Sequence, residues 1–490
     1  MTIDDHWGFV TWVPIDILEA INSATTHNEV IPEELTPHIS ALIAEINGQI
    51  SLIEDEVALG HSLSHQQLDA YTTLRRQYQT LSAPQRKVPH DVLSEIFSHF
   101  RDYPITIPLN EQQPLICASH VSSKWRRVAQ STAMLWKDII LYANGQTRDL
   151  TSRVEMAEEV FRRTGHMKLS LTINIDSNFR GIGIAKLTNL IITHASRLEQ
   201  LTLPGRVALT RAFYSLPPGS VESLRSLTIA MSSKNPPSAA SVFQGAKSLR
   251  MLKINIGMPV SPFILEIPFR QLTHLDAYCD AGLAFDILTQ CRALERCTLS
   301  VTAYGSPASS NDLTLGSLKV LDLAFRGRIQ RAPHHVWLRQ LRLPALLCFT
   351  LSLDESGAWQ PTWTLALARW GPLEEVTVLG RIESLDIDQI IASCPSLVHL
   401  DVQSAQGIPQ STYAKMATGE YAPRLQTLSC AVRSTDGLAP LMDMLEARRQ
   451  ESNVVSHISE VVIEDAVPFE AIDLARLKRL VYEGWDIRFA

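Results

Sequence analysis

"SLRMLKI", Ser248–Ile254, is one copy of the phrase that decides how most of this chain folds. Its apolar residues stand at the second, fifth and seventh places, and the spacing recurs from Arg197 onward. The copies read "RLEQLTL", "SLRSLTI", "SLRMLKI", "QLTHLDA", "ALERCTL", "SLKVLDL", "ALLCFTL", "PLEEVTV", "SLVHLDV", "RLQTLSC", "HISEVVI" and "RLKRLVY". Most begin about 22 to 28 residues apart, a period at which one small unit stacks on the next. In an extended segment alternate residues face opposite ways, so Leu252 and Ile254 turn toward a core while Met251, Lys253 and Asn255 face out. "LAFDILTQCRAL" and "DIDQIIASCPSL" have helical spacing and return the chain between strands. Each unit leaves apolar surface that only its neighbours can cover.

The pattern resembles irregular leucine-rich repeats, expected here as a horseshoe-shaped solenoid over 196–490. A connecting helix and a first strand, "MKLSLTINI", precede it in 143–195. The asparagine common after the strand of such repeats is replaced by Gly257, Asp280, Thr302 and Arg326. Aligning the copies predicts two outward rows. One runs Gln200, Ser226, Met251, His274, Arg296, Val320, Cys348, Glu375, His399, Thr427. The next runs Thr202, Thr228, Lys253, Asp276, Thr298, Asp322, Thr350, Thr377, Asp401, Ser429. Short polar side chains dominate both, which suits recognition of a protein or peptide by hydrogen bonds. His274, Asp276, Tyr278, Arg296, Asp322, His399 and Asp401 are the candidate target-binding residues on this concave face.

Composition narrows the function classes. The 490 residues are 45% hydrophobic and 19% charged, enough for more than one domain or a long repeat array. A net charge of -7, with Lys and Arg scattered, gives no footprint for nucleic acid. No stretch reaches the eighteen or so apolar residues of a membrane span. Seven dispersed cysteines and the lack of any Asn-x-Ser/Thr site fit reduced thiols and a cytoplasmic or nuclear protein.

Residues 1–34 hold Trp7, Phe9 and Trp12 without a sustained period or an assignable role. Over 35–83, Ile39, Ile43, Ile46, Ile50, Ile53 and Val57, then Leu68, Tyr71, Leu74, Tyr78 and Leu81, keep three-four spacing. That predicts an amphipathic helical hairpin packed on itself, with self-association as a short coiled coil the alternative. Over 84–142, "QRKVPHDVLSEIFSHF" predicts a short amphipathic helix. "RDYPITIPLNEQQP" reads as a linker, and "HVSSKWRRVAQSTAMLWKDI" brings a further helix and two tryptophans.

At these residues the chain resembles the F-box family in its fungal, basidiomycete-like form. "VPHDVLSEIF" stands for that family's Leu-Pro and hydrophobic helix, and "HVSSKWRRVAQSTAMLW" for its Val-x-x-x-Trp segment and closing Leu-Trp. Val88 replaces the usual leucine, and Ser122 and Ser123 stand where cysteine is frequent. The resemblance implies docking on the small adaptor subunit of an SCF ubiquitin ligase, and through it on a cullin. The residues it points to are Val88, Pro89, Val92, Leu93, Ile96, Phe97, Val121, Trp125, Leu135 and Trp136. Pro89, Val92, Leu93 and Ile96 are the preferred contacts, and both tryptophans are expected to be partly core. The overall expectation is an α/β protein, a small α-helical N-terminal region followed by the solenoid, acting as a non-enzymatic target receptor or else as a scaffold without a ligase role.

Catalytic and cofactor signals are weak. "RGIGIAK", Arg180–Lys186, lacks the third glycine of a dinucleotide fingerprint. His61 and His65 have a metal-compatible spacing but no glutamate of the zinc motif between them. Cys291 and Cys297 read as small core residues. No cofactor and no metal are expected.

Overall fold

The computed structural model describes residues 15–27, 31–59, 63–144, 150–175, 182–203, 213–232, 241–257, 266–302, 312–326, 338–353, 359, 361–380, 385–402, 407–432, 435–449, 455–464 and 471–489. Compactness divides the chain into two units, Met1–Lys186 and Leu187–Ala490.

The first unit opens with helices α1 (Ile15–His27), α2 (Thr36–Ala58) and α3 (Leu63–Leu81). The three-four pattern of α2 buries Ile39, Leu42, Ile46 and Ile50 against Tyr78 and Leu81 of α3 and Ile21 of α1. The hairpin is therefore packed on itself, and α1 adds a third helix within a segment that showed no period. Trp7, Phe9, Trp12 and His61 lie outside the described residues.

Helices α4 (His90–Ser98), α5 (Pro114–Ser119) and α6 (Ser123–Ser131) follow, then a 3-10 turn at Ala133–Trp136. The expected linker is a correction: it contains strand β1 (Ile105–Ile107), parallel to β2 (Asp138–Ala143), which is parallel to β3 (Leu169–Ile175). The reason lies in "ITI", whose β-branched residues suit a pleated strand. Ile105 and Ile107 sit at 2% and 0% exposure in register with buried Ile139 and Leu141. Helix α7 (Leu150–Arg163) buries Leu150, Val154, Ala157 and Phe161 at three-four spacing. The unit boundary falls within α8 (Ile182–Thr193), which takes up the second glycine of "RGIGIAK"; Arg180 and Gly181 are outside the described residues.

The second unit is built on a parallel sheet. Its strands are β4 (Leu198–Leu203), β5 (Ser226–Ser232), β6 (Met251–Gly257), β7 (His274–Asp280) and β8 (Arg296–Thr302). A short pair, β9 (Leu313–Thr314) and β11 (Leu341–Arg342), lies outside this sheet, while β10 (Val320–Arg326) and β12 (Cys348–Leu353) continue it. Then come β13 (Glu375–Leu379), β14 (His399–Val402), β15 (Thr427–Ala431), β16 (Glu460–Glu464) and β17 (Asp486–Phe489), in sequence order across the sheet. Between them run α9 (Ala281–Gln290), α10 (Pro361–Leu367), α11 (Ile387–Ser393), α12 (Gln410–Thr418), α13 (Thr435–Arg449) and α14 (Ala471–Tyr482). Asp280 and Asp386 cap α9 and α11, accepting the amide N–H of Leu283 at 2.9 Å and Gln389 at 3.1 Å.

Register explains the recurring phrase. Leu227, Leu252, Leu275, Cys297, Leu321 and Phe349 align across neighbouring strands, each at most 3% exposed. In most copies the first apolar residue, such as Leu249, Leu272 or Leu294, turns in just before its strand. Main-chain bonds extend the ladder into that approach, with Arg250 donating to Arg225, Thr273 to Arg250, Glu295 to Thr273 and Lys319 to Glu295, at 2.8–2.9 Å. The approach to each of these strands is thus satisfied by backbone.

One copy of the phrase is not a strand. "RLKRLVY" lies in α14, and the last strand is β17. Leu477 and Leu480 are three apart and both buried, a spacing that helix and phrase share. Arg476 ties this helix to Asp443 of α13 at 2.6 Å and to Glu446 at 3.1 Å. Among the described residues no helix is long and apolar enough to cross a membrane.

Candidate functional site

Two surfaces hold the candidate residues, one in each unit. In the first, α4 begins after Pro89, whose φ of -57° and extended ψ set the entry, and Asp91 places a negative charge in the first turn. Pro89, Val92 and Ile96 form one exposed stripe, Val92 at 44% and Ile96 at 40%. Leu93 and Phe97 turn about 100° away along the helix and are both fully buried. Of the expected contacts, Leu93, Phe97, Leu135 and Trp136 are instead buried within the unit and not part of the exposed stripe.

Aromatic packing locks the buried side. The Phe97 ring stacks on Phe100 at 5.7 Å and meets the half-buried Trp125 edge-on at 5.4 Å. Trp136 is 1% exposed; its indole N–H donates to the Ala129 carbonyl at 2.7 Å, and the Arg163 guanidinium lies over its ring at 4.5 Å. Leu135 is buried beside it in sequence, and Val88 and Val121 are half-buried. Ser122 is fully buried and caps α6 by accepting the Trp125 amide N–H at 3.2 Å. A serine at this place thus has a structural task that a cysteine performs poorly.

In the second unit the register aligns both outward rows over β4–β15. His274 lies beside Arg296, and both are exposed. Asp276 pairs with Lys253 at 2.6 Å, and Asp322 accepts the Thr298 hydroxyl at 3.1 Å. Tyr278 is 37% exposed. His399 and Asp401 are half-buried on β14, and one Asp401 carboxylate oxygen is buried without a hydrogen-bond partner. The seven candidates do not form one cluster: β14 stands four strand steps from β8, roughly 19 Å at the usual strand spacing. Met251, Lys253 and Asn255, all exposed on β6, complete the patch of β7 and β8. Their signal in the sequence was three long side chains at alternate positions of a single strand.

The buried thiols on β7, at the end of α9 and on β8 are poor nucleophiles. Burial pushes Cys279 and Cys291 up to about 12, and Cys297 well above the ordinary thiol range, so all three stay protonated. Cys348, on the outward row, is raised to about 11 by burial and by its bond to Glu375. Among the described residues no group of three or more His, Cys, Asp or Glu side chains could hold a metal ion.

Comparison with family models finds an F-box-like domain at residues 86–142, the span that holds α4, α5, α6, β1 and the Trp136 turn. No curated protein matches the chain.

Proposed function

We propose that this chain is the target-recognition subunit of an SCF-type ubiquitin ligase. Its F-box-like domain fastens it to the small adaptor subunit, and its second unit, an irregular leucine-rich-repeat solenoid, holds a target protein. The observation that carries the reading is α4 of the F-box-like span: Pro89, Val92 and Ile96 lie outward on a helix whose other side is fixed by Leu93 and Phe97. F-box domains bind adaptors of this kind, and an exposed apolar stripe on a pre-packed helix fits that use, because little side-chain freedom is lost on docking. The solenoid reading is supported by the recurring phrase and by parallel strands ordered as in the sequence.

In this role the chain supplies position, not a reacting group. Holding a target near a ubiquitin-charged enzyme raises the effective concentration of the acceptor amine. The test is co-purification of the full chain with the adaptor subunit. The wild type is expected to form a complex, and Val92→Asp with Ile96→Asp is expected to weaken it at least about tenfold, as loss of central interface residues does. Because both positions are exposed, the thermal midpoint should stay within a few degrees. Absence of a wild-type complex, or indifference to the double substitution, would leave a scaffold without a ligase role as the better reading.

A further inference from the structure

Building on the reading of the outward sheet face as the target-binding surface, we propose that the contact is centred on β6–β8 and takes a target segment with a single acidic side chain next to an aromatic or aliphatic one. Six exposed side chains of the face lie on these adjacent strands, Met251, Lys253 and Asn255 on β6, His274 and Tyr278 on β7, Arg296 on β8, while Gln200, Arg326 and Glu375 stand singly on β4, β10 and β13. On β10 and β12 the corresponding Val320, Asp322, Cys348 and Thr350 are half-buried. Tyr, Met and Arg are the residue types that interfaces concentrate, and Tyr and Arg are frequent hot spots.

Charge selects the partner. Lys253 is neutralised by Asp276 at 2.6 Å, and Glu295, the chain neighbour of Arg296, is held by Lys319 at 3.1 Å. Arg296 has no carboxylate within ion-pair distance among the described residues, and His274 stands in register beside it. Its planar guanidinium suits a carboxylate from the partner. Asp322, one strand further, sets a limit: a second acid in the same segment would approach a like charge, so acidic runs are disfavoured. Tyr278 and Met251, at 37% and 40% exposure, offer apolar surface next to the charged position.

The test pans random dodecamer peptides displayed on phage against the full chain. The wild type is expected to select peptides with one Asp or Glu beside Tyr, Phe, Leu or Ile. Arg296→Glu and Tyr278→Ala should weaken those peptides about tenfold or more, with Arg296→Lys intermediate and Arg424→Glu, exposed ahead of β15, without effect. Panning on Arg296→Glu should replace the acid with Lys or Arg. No selected peptide, selection without an acid, or binding indifferent to Arg296→Glu each overturns the proposal. Adaptor binding in the same preparations separates the two readings. Its absence in the wild type sinks the ligase role alone; its presence with Arg296-indifferent peptides sinks only this contact.

Discussion

Val92 and Leu93 are adjacent in sequence and opposite in exposure, 44% and 0%. Leu93→Ala is expected to cost about 2–5 kcal/mol, the usual range for emptying a packed leucine site, whereas Val92→Ala should stay within about 0.5 kcal/mol. Urea unfolding measures both, and equal costs would show that α4 is packed differently. Arg448 poses the opposite case, a charge at 3% exposure. It donates to the carbonyls of Met416, Tyr421, Ala422, Leu425 and Ser456, at 2.7 to 3.4 Å. Burial pulls its pKa down only to about 10, so it remains charged at neutral pH and draws those turns together. Arg448→Met strips the donors from buried oxygens and is expected to destabilise by about 2–4 kcal/mol. Arg448→Lys, with fewer donors and no fork, should recover part of that loss on the same urea curve. The thiols give a third check: a maleimide should label the exposed Cys117 in the native protein and leave Cys279, Cys291 and Cys297 unmodified until denaturant is added. Labelling of Cys291 as fast as Cys117 would contradict its burial.

Elements were legible in the sequence where one period ran long enough to outweigh local ambiguity. The α2–α3 hairpin and the outward rows, from Gln200 to Thr427 and from Thr202 to Asp401, follow from spacing alone, since three-four and two-residue rhythms each leave only one way to bury the apolar set; Ser429, next in the second row, is buried. Strand β1 escaped because three residues are too few for a period, and prolines at 104 and 108 make the segment look like a linker. Helix α14 escaped because Leu477 and Leu480, both buried, satisfy helix and strand phrase alike. At the candidate site, the apolar face of α4 was legible but its division was not: spacing cannot say that Phe97 packs on Trp125 while Ile96 stays outside. Turns carry comparable hidden constraints. Gly371 donates its amide N–H to the Leu343 carbonyl at 2.8 Å, and a Cβ there would stand 2.5 Å from the Pro344 oxygen and 2.9 Å from the Leu346 nitrogen. Gly371→Ala must push backbone aside and is expected to cost about 1–3 kcal/mol. Gly316→Ala meets no atom within 4 Å and should leave the thermal midpoint nearly unchanged, so a midpoint that falls equally for both would refute the crowding argument.

At the scale of the whole second unit, parallel strands in sequence order mean that each layer of core is shared only with the next. Leu299 of β8 lies in register between Ala277 of β7 and Leu323 of β10, and all three are at most 1% exposed. The rows continue in the same way to Val402 and Cys430. Such an array gains its stability from units and nearest-neighbour interfaces, so a defect should spread by adjacency and weaken with strand number. Leu299→Ala removes core atoms from one layer at a cost of about 2–5 kcal/mol. Native-state hydrogen exchange is then expected to quicken most in β7, β8 and β10, less in β6 and β12, and not measurably in β4 or β16. This ordering follows because local opening near the cavity needs less free energy than opening of the whole sheet. If protection instead fell by one common factor from β4 to β16, the unit would open only as a whole. In that case the outward rows at β6–β8 and at β14 would loosen together, and damage to the core under one would disturb the other.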